Sequence, residues 1–477
     1  MPRRSILAAL QIPLAASLAA LAVATPARAQ FGIPQEDDGR PDSGAPALMD
    51  GPPLEPRAER PVAAGWKRAC SFREPICIYA APGTEAKTIV LALASSERAW
   101  EALTKVLRIP SPDADPDGAY RVYLVDRPSL SPSTTLLAER DVRSGFDRAS
   151  AFTLVDRSLR GCALDSAIAR EVARAALFRV APATDDGSAR AESAYLSRLI
   201  VPCAMEDIDG VRRFQAHPQH ALVDAWHADA HPETGIGADE YARGAALFFW
   251  WLDVQFGDVP GDFVRDVWAL SPTMTPLGAW LWNNHPNGFD TLRVTFKDGF
   301  GPKTTVDDLF VKFAIARAFF GAADDAAPLH LAESRPLGES ARVALDWGAY
   351  GGAEIAWPTK ARRFVSSEGV APTGAAYLLI HRDGAPKGSS LRVTAEWESF
   401  TRMRWFAVKL DEAGKDLGEL PIAALVRAIA AQATIYDLDA TTDVLLVGVA
   451  LGDWRYDFDP DDGVWEPHGW MVTVAQE

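Results

Sequence analysis

Beyond roughly residue 335 the apolar residues change period, so one chain must build two kinds of structure. Earlier, apolar positions recur at helical spacing, as in Ile89, Leu93, Trp100, Leu103 and Val106 within 85–107, with Pro110 and Pro112 as a stop. Further helices are expected near 189–201, 238–256, 260–270 and 305–320, and strands at 76–79, 120–125 and 151–155. Later, short alternating runs at 364–366, 375–381, 391–397, 403–409, 434–438, 444–449 and 470–474 suit strands. Turn signals such as Asp383-Gly384, Asp411-Glu412-Ala413-Gly414 and Asp462-Gly463 separate them. The stretch 421–433 reads equally as helix or strand. The expected class is α+β, with an α+β and helical part over 62–335 and an all-β sandwich over 336–477.

The N-terminus reads as an export signal over residues 1–29. Arg3 and Arg4 precede an apolar run from Ile6 to Ala24, and Ala27-Arg28-Ala29 has the form of a cleavage site. The Arg-Arg-Ser-Ile-Leu start also resembles a twin-arginine signal, which leaves both bacterial export routes open. Residues 30–61 hold seven Pro among acidic and small residues, too little apolar surface to fold, and read as a disordered linker. No later stretch offers the ~20 apolar residues that span a bilayer. The mature chain is expected outside the cytoplasm, in the periplasm or outside the cell. Losing Arg3, Arg4 and Arg28 takes the formal charge from −16 to −19, which argues against nucleic acid or an anionic membrane as partner.

Four cysteines, Cys70, Cys77, Cys162 and Cys203, lie in the exported part. They allow three pairings. Cys70–Cys77 with Cys162–Cys203 is expected, because each bridge then closes a local structure in an oxidising compartment. Zinc binding by the thiols is the rival, but the chain has no C-x₂-C pair.

Residues 168–174 read Ile-Ala-Arg-Glu-Val-Ala-Arg, on a helix that Asp165 or Ser166 can cap. In the H-E-x-x-H arrangement, two His one turn apart grip Zn²⁺ and the Glu acts as general base. Here Glu171 remains, while Arg170 and Arg174 stand at the His positions. Glu192 follows 18 residues past Arg174 on the next helical stretch. With strands and a long helix before it and a helical part after it, this segment resembles the gluzincin-type zinc metallopeptidases over about 62–325. Tyr241 to Phe256, ending at Gly257, resembles the helix that closes their helical subdomain. The resemblance implies a site built from Arg170, Glu171, Arg174 and Glu192. Arginine has no lone pair for a metal, so the expected chemistry is lost and no cofactor is expected. An ion pair from Arg170 or Arg174 to Glu192 would replace the metal. The competing reading makes Arg170, Glu171 and Arg174 a solvated helix face.

One other cluster bears on metal chemistry. His217, His220, His227 and His231 fall close together, and His227 and His231 have the i,i+4 spacing of a helical chelate. Pro218 and Pro232 favour a polar loop instead. Asp457, Asp459 and Asp461 alternate as in a calcium loop but lack its Gly and terminal Glu. Among the Trp of the strand-rich part, Trp454 and Trp465 are the candidates for exposure and sugar stacking. The resulting expectation is a degenerate metallopeptidase-like protein that binds peptide or protein without catalysis. The alternatives are an active zinc peptidase using the His cluster and a glycan-binding or adhesive surface protein.

Overall fold

The computed structural model describes residues 60–61, 64–114, 118–126, 132–141, 145–203, 208–222, 238–272, 286, 288–296, 305–321, 330–343, 349–350, 355–399, 401–422, 429–453 and 467–477. The expected signal peptide, almost all of the expected linker, His227, His231, the Asp457–Asp461 alternation, Trp454 and Trp465 lie outside them. The described chain is of mixed α+β class.

The first sheet contains β1 (Lys67–Cys70), β2 (Ile76–Ala80), β3 (Tyr120–Val125), β4 (Ser133–Asp141) and β5 (Arg148–Asp156), in the order β1-β2-β3-β5-β4. Strands β2, β3 and β5 run parallel, whereas β1 and β4 run antiparallel at the two edges. Helix α1 (Ala86–Glu101) ends in a π-helical turn, Ala102–Val106, inside what the spacing predicts as one helix. Helix α2 (Gly161–Val180) packs on β4, β5 and α1 and is followed by α3 (Asp186–Ile200). Neither Asp165 nor Ser166 caps α2, which begins at Gly161. Asp165 instead pairs with Arg98 of α1 at 3.0 Å.

The helical part continues with α4 (Ile208–Ala216), α5 (Ala238–Gly244), α6 (Ala246–Phe256), α7 (Asp262–Leu270), α8 (Gly288–Val294) and α9 (Val306–Arg317). The helix expected over 238–256 is broken at Ala245 into α5 and α6. Asp253 of α6 accepts the backbone N–H groups of Gly261 (2.7 Å) and Phe263 (2.8 Å), so it satisfies donors at the start of α7. Thr305 and Asp308 close a capping box on α9.

Nine strands follow: β6 (Ala349–Tyr350), β7 (Arg362–Ser366), β8 (Ala375–His381), β9 (Leu391–Trp397), β10 (Thr401–Leu410), β11 (Asp416–Ile422), β12 (Ala430–Ile435), β13 (Asp443–Asp453) and β14 (Trp470–Gln476). They form a four-stranded sheet, β11-β10-β13-β8, and a five-stranded sheet, β12-β9-β14-β7-β6. The ambiguous stretch 421–433 ends β11 on one side and begins β12 on the other. Strand β11 carries no alternation that sequence reading picks out, because it is an edge strand of mixed exposure that, among the described residues, pairs only with β10.

One apolar cluster runs from Ile78, Val122 and Val155 of the first sheet through Trp251 and Phe313 of the helices to Tyr377, Leu445 and Val447 on the four-stranded sheet. A second lies between the two C-terminal sheets, with Leu378, Ala407 and Leu446 from one and Val393, Ala395 and Val472 from the other. The four-stranded sheet is thus apolar on both faces. That explains why Val444–Val447 is a continuous apolar run: successive side chains enter opposite cores. Gly448 is required there, since a Cβ would lie 2.5 Å from the Trp405 ring. Arg402 and Arg404 of β10 pair with Asp307 (2.6 Å) and Asp308 (2.5 Å) of α9, adding polar links at the same junction.

The cysteines are joined as Cys70–Cys77 and Cys162–Cys203. The first spans directly opposed residues of β1 and β2, and the second ties the first turn of α2 to the chain just past α3.

Candidate functional site

Helix α2 is buried almost all round, and its charged residues are buried with it. Arg170, Glu171 and Arg174 are 6%, 3% and 7% exposed, which overturns the reading of a solvated helix face. Such groups need partners, because an unpaired charge in the interior is very costly. Strand β4 supplies them. Its alternation sends Ser133 and Thr135 toward α2, where Ser133 donates to Glu171 Oε1 at 2.7 Å and Thr135 to Oε2 at 2.8 Å. Arg170 Nη2 donates to Ser133 Oγ at 2.8 Å, and Arg170 Nε lies 3.5 Å from Glu171 Oε1. The network extends through Thr135 and Thr153 (2.8 Å) to the Tyr120 hydroxyl (2.5 Å) on β3. Glu171 is therefore locked to an edge strand through both carboxylate oxygens.

Arg174 turns the other way. It pairs with Asp186 in the first turn of α3, which also holds Arg190 at 2.5 Å, and its guanidinium lies 5.4 Å from the Phe178 ring centroid. The expected ion pair from Arg170 or Arg174 to Glu192 is not formed. The reason lies in α3: Asp186 sits nearer its N-terminus, where it meets Arg174, whereas Glu192 is nearly two turns along and faces α7.

Glu192 is 1% exposed and accepts the indole N–H of Trp268 at 2.7 Å. Burial pushes its carboxyl up to about 8, the Trp268 bond opposes that shift, and the nearby Asp185 charge adds to it. Asp185 itself caps α3 by accepting the Ser188 N–H at 2.7 Å.

The four residues of the degenerate motif thus fall into three separate units. Arg170–Glu171 is tied to β4, while Arg174–Asp186 ties α2 to α3 and Glu192 stands beside Trp268. A carboxylate held by two hydroxyls and a guanidinium is poorly placed to take a proton from water, and arginine offers a metal no electron pair. Ser133, Thr135, Asp186 and Trp268 went unnoticed in the sequence. Only the Ser-x-Thr alternation at 133–135 and the Asp185-Asp186 pair ahead of a helix carried any signal.

His217 and His220 stack with ring centroids 5.2 Å apart, beside Tyr241. Among the described residues no group of three or more His, Cys, Asp or Glu is placed to hold a metal ion. Trp357, Trp397, Trp405 and Trp470 are buried in the second core and unavailable for stacking on a ligand.

No family model matches the chain, and no curated protein matches it. Among solved structures it is similar to chitosan-binding module 1 of a chitosanase/glucanase from Paenibacillus sp. IK-5. That match has 15% identity and a TM-score of 0.15 and covers 24% of this chain and 74% of that one. A family 29 carbohydrate-binding module complexed with mannohexaose matches at 18% identity and a TM-score of 0.15, covering 27% of this chain and 77% of that one. Scores this low carry no argument about function.

Proposed function

We propose that this is an exported, non-catalytic relative of the gluzincin metallopeptidases that binds peptide or protein, with a C-terminal β-sandwich as its second domain. The observation that carries the reading is the capture of Glu171. The residue at the general-base position spends both carboxylate oxygens on Ser133 and Thr135, and Arg170 stands where a first zinc ligand would be. Evolving guanidinium groups at both His positions removes the metal and leaves the surrounding fold a stable polar interior. Strand β4 supports the binding half of the reading. Among the described residues it pairs only with β5, so its outer backbone groups are those an extended peptide adds to by β-augmentation.

The test is metal analysis and peptidase assay on the purified mature protein, together with binding of an extended-peptide library. No stoichiometric zinc, no hydrolysis and saturable peptide binding are expected. One zinc per chain that disappears, along with hydrolysis, in His227→Ala would overturn the reading in favour of a His-cluster peptidase. Absence of any peptide binding would remove the binding half alone.

A further inference from the structure

Strand geometry places a cation on the Cys70–Cys77 bond. Arg68 and Cys70 lie two residues apart on β1 and so share a face, while Tyr79 and Cys77 stand opposite them on β2. The Arg68 guanidinium lies 5.6 Å from the Tyr79 ring centroid, and from there Nε donates to Cys70 Sγ at 3.0 Å and Nη2 to Cys77 Sγ at 3.4 Å. Both sulfurs of one bridge are thus held by one exposed, permanently charged fork. Among the described residues no guanidinium or ammonium donates to Cys162 or Cys203, whose recorded polar contact is Ser166 Oγ at 3.7 Å.

We propose that Cys70–Cys77 is an exchangeable disulfide, opened by a dithiol reductant and served by Arg68 as the group that stabilises each departing thiolate. Cys70 is the partly exposed sulfur and Cys77 the buried one, at 3% exposure, so the incoming thiolate attacks Cys70. A bond forms from the reductant sulfur to Cys70 Sγ, the Cys70–Cys77 bond breaks, and its electron pair leaves on Cys77 Sγ beside Arg68 Nη2. The reductant's second thiolate then attacks its own sulfur in the mixed disulfide, and the Cys70 thiolate leaves beside Arg68 Nε. The dithiol ends oxidised to a disulfide, and the two cysteines end reduced and take up protons from solvent. A cation at a leaving sulfur lowers its pKa and speeds its departure. The segment released is the turn at 71–75, which carries the fully exposed Phe72 and is otherwise braced by Ser71, whose hydroxyl accepts the N–H groups of Arg73 and Glu74. The β1–β2 ladder keeps the two cysteines opposed, so the bond can close again.

The experiment follows opening of each bridge in the oxidised full chain, under native conditions, by alkylation and peptide mass spectrometry. With glutathione as the probe, the adduct is expected on Cys70 and the alkyl label on Cys77. With dithiothreitol, Arg68→Gln is expected to slow opening of Cys70–Cys77 by on the order of tenfold. Arg68→Lys should restore part of that rate, and the rate at Cys162–Cys203 should not change. An unchanged rate in Arg68→Gln, or an adduct mainly on Cys77, overturns the proposal. If Arg68→Gln does not fold, salt decides on the unaltered chain. Raising ionic strength from ~0.05 to ~1 M screens the guanidinium and should slow Cys70–Cys77 several-fold more than Cys162–Cys203, and equal slowing overturns the proposal.

Discussion

Trp268 donates its indole N–H to Glu192 at 2.7 Å, joining α7 to α3 through a carboxyl that solvent scarcely reaches. This acid is the motif residue that no cation compensates, and its protonation is coupled to the fold.

Stability should fall with rising pH because of Glu192. Its folded pKa is raised to about 8, chiefly by burial, while the unfolded chain releases the proton in the ordinary carboxylate range. A raised folded pKa gives a contribution that is complete below the ordinary value and is lost as pH climbs through about 8. Urea unfolding from pH 5 to pH 9 should show this residue's share as a loss on the order of a few kcal/mol. Glu192→Gln should flatten the curve relative to the parent. Two parallel curves would show that Glu192 carries no proton-linked stability.

Removing the Glu171 carboxylate should be severe. Glu171→Ala takes the carboxylate acceptor from Ser133 and Thr135 and the neighbouring counter-charge from the buried Arg170 guanidinium, a loss of about 3–5 kcal/mol in chemical denaturation. Glu171→Gln keeps an acceptor and should cost less. A loss below ~1 kcal/mol for the alanine variant would mean that the network relaxes around the gap.

Arg174 should couple to Asp186 and not to Glu192. Asp186 is about a third exposed, which moderates the pair, so a double-alanine cycle is expected to give a coupling of ~1–2 kcal/mol. The Arg174–Glu192 cycle should be additive within about 0.5 kcal/mol. The reverse pattern would place the arginine against α7's partner after all.

The two disulfides should differ in worth. Chain-entropy arithmetic gives roughly 2 kcal/mol for the bridge of separation 7 and roughly 4 kcal/mol for that of separation 41. Paired Cys→Ser variants, compared by thermal or urea unfolding, should show Cys162–Cys203 as the larger loss. Equal losses would indicate that the α2–α3 connection stays closed without its bridge.

Period and turn chemistry are local properties, and they made much of the architecture legible. The changeover near 335, the helices α1 and α9 and most strands follow from spacing that each segment carries in itself. Strand β11 and the break at Ala245 escaped because an edge strand of mixed exposure shows no clean apolar alternation, and α6 is apolar all round and masks its own boundary. The residues of the degenerate motif were identifiable because Arg-Glu-Val-Ala-Arg stands at a recognisable spacing. Their partners were not. Whether Arg174 meets Asp186 or Glu192 depends on which face of α3 turns toward α2, and Glu171 meets Ser133 only because β4 runs antiparallel at the sheet edge. Sequence fixes which groups carry charge and how often they recur along a helix or strand. Only tertiary packing decides which of them are removed from water together, and desolvation is what turns a charged side chain from a solvated face into a buried link.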